Sequence, residues 1–254
     1  MTADVVVFLG PTLSVADARQ HLDALYLPPA GGGDIARAVI DHAPSAIALI
    51  DGVFAQSPAV RHKEILWAMS RGVRVFGASS MGAIRAAELA AFGMVGHGMI
   101  FRWYRRTALG DDGDVAVPMA PAELGSHALG EALIDIRLTL RRAERGRVIG
   151  QHLRRLLERL ARSIHYSERT YESLFLAAQE DVSGPELDRL KLWLPNERRS
   201  QKRLDAVSLL RRLSSSRGDL AKAQGIDAFE LTEAFAYDMD YYNLSDALLC
   251  GSPC

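Results

Sequence analysis

Cysteine is nearly absent from this chain. The two that occur, Cys250 and Cys254, lie within the last five positions. A pair placed there cannot frame a fold with disulfides, so a reducing, cytoplasmic setting is expected. The string Cys250-Gly-Ser-Pro-Cys254 reads as a tail rather than a sulfur relay. Long apolar runs are missing too, and none approaches the ~20 residues that a bilayer span needs. The opening Met1-Thr-Ala-Asp-Val5 lacks a basic n-region, so no signal peptide is expected. Charge of either sign is not in excess: the formal net charge is -1. That balance, with no aromatic stacking pattern beside the basic clusters, argues against a nucleic-acid partner. No membrane partner is expected either. His62, His97 and His127 have no ligand spacing with one another. Asp111, Asp112 and Asp114 lack the spacing and glutamate of a calcium loop and read as a solvated turn. No metal and no cofactor are expected.

What is present is an alternation of strand and helix signals. Asp4 to Leu9 is a continuous apolar run and reads as a buried strand of a parallel sheet. Ser14 and Asp17 start a helix through about Leu25. Pro28 to Gly33 is a loop, and Asp34 caps a helix from Ile35 to about His42. Ser45 to Ile50 is a second strand. Ser57-Pro58 opens a helix to Ser70, and Val73 to Phe76 is a third strand, followed by a helix to Phe92. The pattern predicts an α/β fold with right-handed crossovers, Rossmann-like in its layers. From Met94 to Leu124 the signal weakens, with a short strand at Val115–Val117. Leu129 to Arg145 is again helical. After Gly146 the composition turns to Leu, Arg and Glu. Helices are expected at Val148–Ile164, Tyr171–Ala178, Pro185–Trp193, Ser200–Leu213 and Ala228–Leu244, with turns at Ser183-Gly184, Pro195-Asn196, Gly218 and Gly225. The expected organisation is an α/β domain over 1–146 and an all-α region over 147–254.

Chemistry concentrates where strands end. Gly10-Thr12, Asp51-Gly52 and Ser79-Ser80 each follow a strand, and parallel neighbours would bring them to one crevice. Ala78-Ser79-Ser80-Met81-Gly82 approaches the nucleophile-elbow pattern G-x-S-x-G. Ser80 is then the candidate nucleophile, and the N–H groups of Met81 and Gly82 face a developing oxyanion. The alternative is that the small residues let the helix pack close to the sheet. Lys63 shares a helix face with Val60, Leu66 and Trp67; it is a candidate base or anion anchor, or it lays its amine over Trp67. Glu64 lies on the other side and joins the binding candidates. Asp51 could orient a base or hydroxyl. Arg85 and Glu88 form an ion pair one turn apart, or Arg85 receives a carboxylate or phosphate at the sheet edge. Basic clusters at Arg154-Arg155, Arg198-Arg199, Lys202-Arg203 and Arg211-Arg212 are a solvated face or a dock for an acidic protein.

With these residues in view, the chain resembles the TfuA-like family. The strings that carry the resemblance are Val7 to Ser14, Tyr26 to Ala30, Gly33-Asp34, Ile50 to Phe54, Val60 to Leu66 and Gly72 to Leu89. Further on are Phe92-Gly-Met94, Asp111-Asp112, Val115-Ala-Val117, Ala120 to Glu123, Glu131 to Leu133 and Ile136-Arg137. Together they cover about the first 146 residues. The acidic loop departs from the pattern, with Gly113-Asp114 where a glutamate is expected. The resemblance implies a partner of a YcaO enzyme in the thioamidation of peptide backbones. That partner would take a thiocarboxylated ThiS-like sulfur carrier and release sulfide from it, with the precursor peptide as a further contact. It favours Ser80, Lys63, Asp51 and Arg85 without assigning their roles. A non-catalytic adaptor and a free-standing serine hydrolase are the alternatives.

Overall fold

The computed structural model describes residues 4–53, 57–107, 110–179, 184–216 and 229–246. Cys250, Cys254 and the turns at Ser183, Gly218 and Gly225 lie outside them. The described chain forms two compact units. The first comprises residues 1–108 and 203–254; the second comprises residues 109–202.

The first unit is built on a five-stranded parallel sheet of order β2-β1-β3-β4-β5. The strands are β1 (Val5–Phe8), β2 (Leu25–Leu27), β3 (Ala46–Leu49), β4 (Arg74–Ala78) and β5 (Val95–His97). β1, β3 and β4 are the predicted strands. β2 and β5 are additions at the two edges, each three residues long. Chains this short carry no periodicity to detect. β2 also shortens the first helix: α1 (Val15–Arg19) keeps its Ser14 cap, whose hydroxyl accepts from Asp17 N–H, but stops well before Leu25.

Each face of a central strand is buried, which is why Val5-Val-Val-Phe8 is apolar throughout. On one face Val6, Phe8, Ile47, Leu49 and Val75 meet α2 (Asp34–His42), α3 (His62–Ser70) and α4 (Met81–Leu89). On the other, Val5, Val7, Ala48, Ile50 and Phe76 meet α1 and Ala206, Leu209, Leu210 and Leu213 of α10 (Gln201–Ser215). α1 is only five residues long and leaves that face uncovered without α10. Each leucine buried there stabilises by about 1.5–3 kcal/mol. The composition break at Gly146 therefore does not divide the structure. α10 returns to the sheet, and the break itself falls inside the second unit.

α3 begins at His62 rather than Ser57. The Glu64 carboxylate accepts from Arg61 N–H at 3.0 Å and sets the start there, while the Pro58 carbonyl accepts from Gly32 N–H at 2.7 Å. α5 (Gly98–Arg106) and α11 (Glu233–Tyr241) complete the described α-helices of this unit. Asp205 accepts from Ile100 N–H at 2.8 Å, tying α10 to the first turn of α5.

The second unit is helical: α6 (Leu133–Arg145), α7 (Gln151–Ser163), α8 (Tyr171–Gln179) and α9 (Pro185–Glu197). Leu140, Leu157, Leu174 and Leu190 close its core. Three expectations are corrected here. Val115–Val117 is no strand; it follows a 3-10 turn at Asp112–Asp114. That turn is not merely solvated, because Asp114 is buried against Arg137 at 3.0 Å and Arg169 donates to the Gly113 carbonyl at 2.9 Å. Pro195 does not end α9, which runs to Glu197; so near the helix end, its missing N–H forfeits one hydrogen bond.

Candidate functional site

β1, β3 and β4 deliver Gly10-Thr12, Asp51 and Ser79-Ser80 to one edge of the sheet, as the topology requires of parallel neighbours. Asp51 organises them. It is 1% exposed. One carboxylate oxygen accepts from Gly10 N–H at 2.9 Å and Thr12 N–H at 3.1 Å. The other accepts from the Thr12 hydroxyl at 2.6 Å. Three donors to one buried carboxylate are charge-assisted bonds that pin the 10–12 loop to β3.

The Thr12 hydroxyl has a second neighbour, Ser79 Oγ, at 3.4 Å. Thr12 has already given its proton to Asp51, so in this pair Ser79 donates and Thr12 accepts. The chain of hydroxyls runs Ser79, Thr12, Asp51.

Ser79 differs from Ser80 in its backbone. Its φ is +72°, in the left-handed region. For a non-glycine residue that conformation costs about 1–2 kcal/mol. Ala43 caps α2, while Arg147 and Asn243 lie just past the ends of α6 and α11. Ser79 instead sits between a strand and a helix, where a nucleophile elbow holds its strained residue. Ser80 has φ -100° and serves as N-cap of α4 without a side-chain cap bond. The left-handed backbone therefore falls on Ser79, one residue before the sequence candidate Ser80. Ser79 is fully buried and Ser80 is 3% exposed.

The N–H groups at the turn are unequal. Gly82 N–H donates to the Ile50 carbonyl at 3.3 Å and is not free to face an oxyanion. Among the described residues, no hydrogen bond takes the Met81 N–H. Gly82 and Gly77 are small for packing. A methyl on Gly82 would stand 1.7 Å from the Leu49 carbonyl oxygen, and one on Gly77 would stand 2.0 Å from the Gly82 carbonyl oxygen.

The remaining candidates assemble elsewhere in the unit. Lys63 Nζ donates to the Glu230 carbonyl at 3.0 Å and lies 5.6 Å from the Phe229 ring centre. Neither Asp51 nor Ser80 is among its hydrogen-bond partners. Arg85 donates to the Val60 carbonyl at 2.9 Å and pairs with Glu88 at 2.7 Å. His62 also meets Glu88, at 2.8 Å. Arg85 and Glu88 thus form the structural pair rather than an open receptor. Among the described residues no group of three His, Cys, Asp or Glu is placed to hold a metal ion.

Comparison with known families places part of this edge within one of them. The model for the family described as TfuA-like protein matches residues 51–170. The chain is TfuA-like over this stretch. No curated protein matches the chain. The TfuA-like segment begins at Asp51 and contains Lys63, Ser79, Ser80 and Arg85, while Gly10 and Thr12, which supply the donors to Asp51, precede it. It also runs past Gly146 through α7, where the sequence resemblance named no counterpart.

Glu64, within the TfuA-like segment, is a buried carboxylate without full satisfaction. It is 3% exposed and its Oε2 makes no hydrogen bond. Burial pushes its pKa up to about 7, opposed by the N–H groups of Arg61, Gly33 and Ala36. Asp34 carries the first-turn carboxylate of α2 and its charge raises the Glu64 pKa further. A raised folded-state pKa means that stability is fully present below the unfolded value of about 4.3 and is lost as pH rises through about 7. The loss is on the order of 3 kcal/mol. Glu64→Gln is therefore expected to match wild type at pH 4 and to melt roughly 6–12 °C higher at pH 8. An undiminished alkaline loss in the variant assigns the effect to another group.

Proposed function

We propose that this protein is the sulfur-delivering partner of a YcaO enzyme in peptide backbone thioamidation. It would bind a thiocarboxylated ThiS-like carrier and hydrolyse its terminus to release sulfide. The observation that supports this most is the strained Ser79 at the β4–α4 turn, hydrogen-bonded through Thr12 to Asp51.

In this reading Ser79 Oγ attacks the thiocarboxylate carbon. The C–S bond breaks, an ester to Ser79 forms, and the serine proton leaves with the sulfur as hydrosulfide. Thr12 accepts from Ser79 during attack while Asp51 accepts from Thr12, so the serine proton is drawn towards the fixed carboxylate and passes from this chain to the departing sulfur. The Met81 N–H, at the N-terminus of α4, faces the oxyanion. Water then hydrolyses the ester and returns the proton to Ser79. Both serines are buried, so in this reading the sheet edge opens to the carrier's slender terminus while Thr12 stays bonded to Asp51.

That burial favours a second reading, a non-catalytic adaptor that recruits and stimulates the YcaO enzyme with its sheet edge closed. Sulfide measured from a thiocarboxylated carrier, with this protein alone and no YcaO enzyme or ATP, separates the two. Catalytic release is expected. Release only when the YcaO enzyme is added leaves the adaptor.

A further inference from the structure

The segment 229–246 presents two chemically distinct faces. Phe235, Met239 and Leu244 point inward and pack with Ala36 and Trp67. Around them, Arg61 pairs with Asp238 at 3.1 Å, and Arg37 donates to the Tyr242 carbonyl at 3.0 Å. α11 is thus anchored to α2 and α3 within the sheet unit.

Its outer face carries the opposite of what a solvated helix needs. Tyr237 and Tyr241 are 71% and 66% exposed, and Leu231 is 54% exposed. The two tyrosines are four residues apart, which sets them along one ridge of the helix, and the Tyr241 ring meets Tyr242 edge-on at 5.1 Å. Exposed aromatics paired on one ridge mark contact surfaces rather than solvent-facing helix. Glu230, Glu233, Asp240 and Asp246 are exposed around them. The segment holds five carboxylates and no Lys, Arg or His, in a chain whose net charge is -1. Asp238 is spent on Arg61, and the other four face outward.

We infer that this face docks an arginine-rich segment of a partner protein. A guanidinium stacks on tyrosine and forks onto carboxylates, so one residue type satisfies both halves of the surface. The four outward carboxylates repel nucleic acid and anionic membranes alike. A lysine ammonium would meet the charge but stack less well on the rings. This dock lies on a different element from the basic clusters, and it stands whether or not sulfur release is catalysed here.

A fluorescein-labelled nona-arginine peptide tests it by anisotropy with the full chain. Tyr237→Ser/Tyr241→Ser removes the rings and keeps every charge, and both side chains are exposed, so an unchanged melting temperature is expected. The double variant should bind nona-arginine about tenfold more weakly than wild type. Nona-lysine should bind wild type more weakly than nona-arginine and be indifferent to the substitutions. Equal nona-arginine affinity in wild type and variant overturns the proposal. So does a wild-type self-association, seen by sedimentation, that the variant loses while peptide binding is unchanged; the ridge would then serve a second copy of this chain.

Discussion

Gly82→Ala lowers the melting temperature by about 6–12 °C or prevents folding. The added methyl would sit 1.7 Å from the Leu49 carbonyl oxygen and 3.3 Å from Gly77 Cα. Both neighbours are backbone atoms of central strands, which cannot rotate aside as a flexible side chain would. Forcing extra volume into a packed interior costs about 1–3 kcal/mol, and backbone against backbone belongs at the upper end. At 2–4 °C per kcal/mol for a protein of this size, that is the shift expected in a thermal melt followed by circular dichroism. Alanine is the better helix former by about 1 kcal/mol. A variant as stable as wild type would mean that α4 does not approach the sheet this closely. The result matters for function, because it divides the motif at the turn. Gly77 and Gly82 are small to let helix and sheet meet; Ser79 is not explained that way.

Much of the sheet unit was legible in the sequence, and the reasons are specific. Val5-Val-Val-Phe8 and Ala46-Ile-Ala-Leu49 are apolar on both faces because both faces are covered. β2 and β5 were hidden, since three residues cannot show a period and Leu25-Tyr-Leu27 extends a helical pattern begun at Val15. The role of α10 was hidden for another reason. Nothing in Ala206, Leu209, Leu210 and Leu213 says which apolar surface they cover, and sequence order suggested a separate helical region. The meeting of Thr12 with Asp51 was foreseeable from strand topology, whereas the partners of Lys63 were not. Its amine is held by a carbonyl 167 positions later, a contact no local pattern encodes. The left-handed angle that distinguishes Ser79 from Ser80 is reported by neither residue type nor spacing.

Ser79→Ala is expected to abolish sulfide release, by about a thousandfold or more, as loss of a nucleophile in a hydrogen-bonded hydroxyl network does. Ser80→Ala should retain rates within about threefold, because the Ser80 hydroxyl caps nothing and its N–H and carbonyl bonds, to Ala78 and from Ala83, are backbone bonds that the substitution keeps. Stability separates the same way. Alanine at position 79 keeps the left-handed strain and gives up one 3.4 Å hydrogen bond, so the fold survives and the loss is one of chemistry. Thr12→Val provides the supporting case, since it removes the relay to Asp51 while preserving shape, and an intermediate rate is expected. The decisive measurement is the initial rate of sulfide release from one thiocarboxylated carrier by wild type, Ser79→Ala and Ser80→Ala side by side. The account predicts release by wild type and Ser80→Ala and none by Ser79→Ala. Release by Ser79→Ala at the wild-type rate would contradict it.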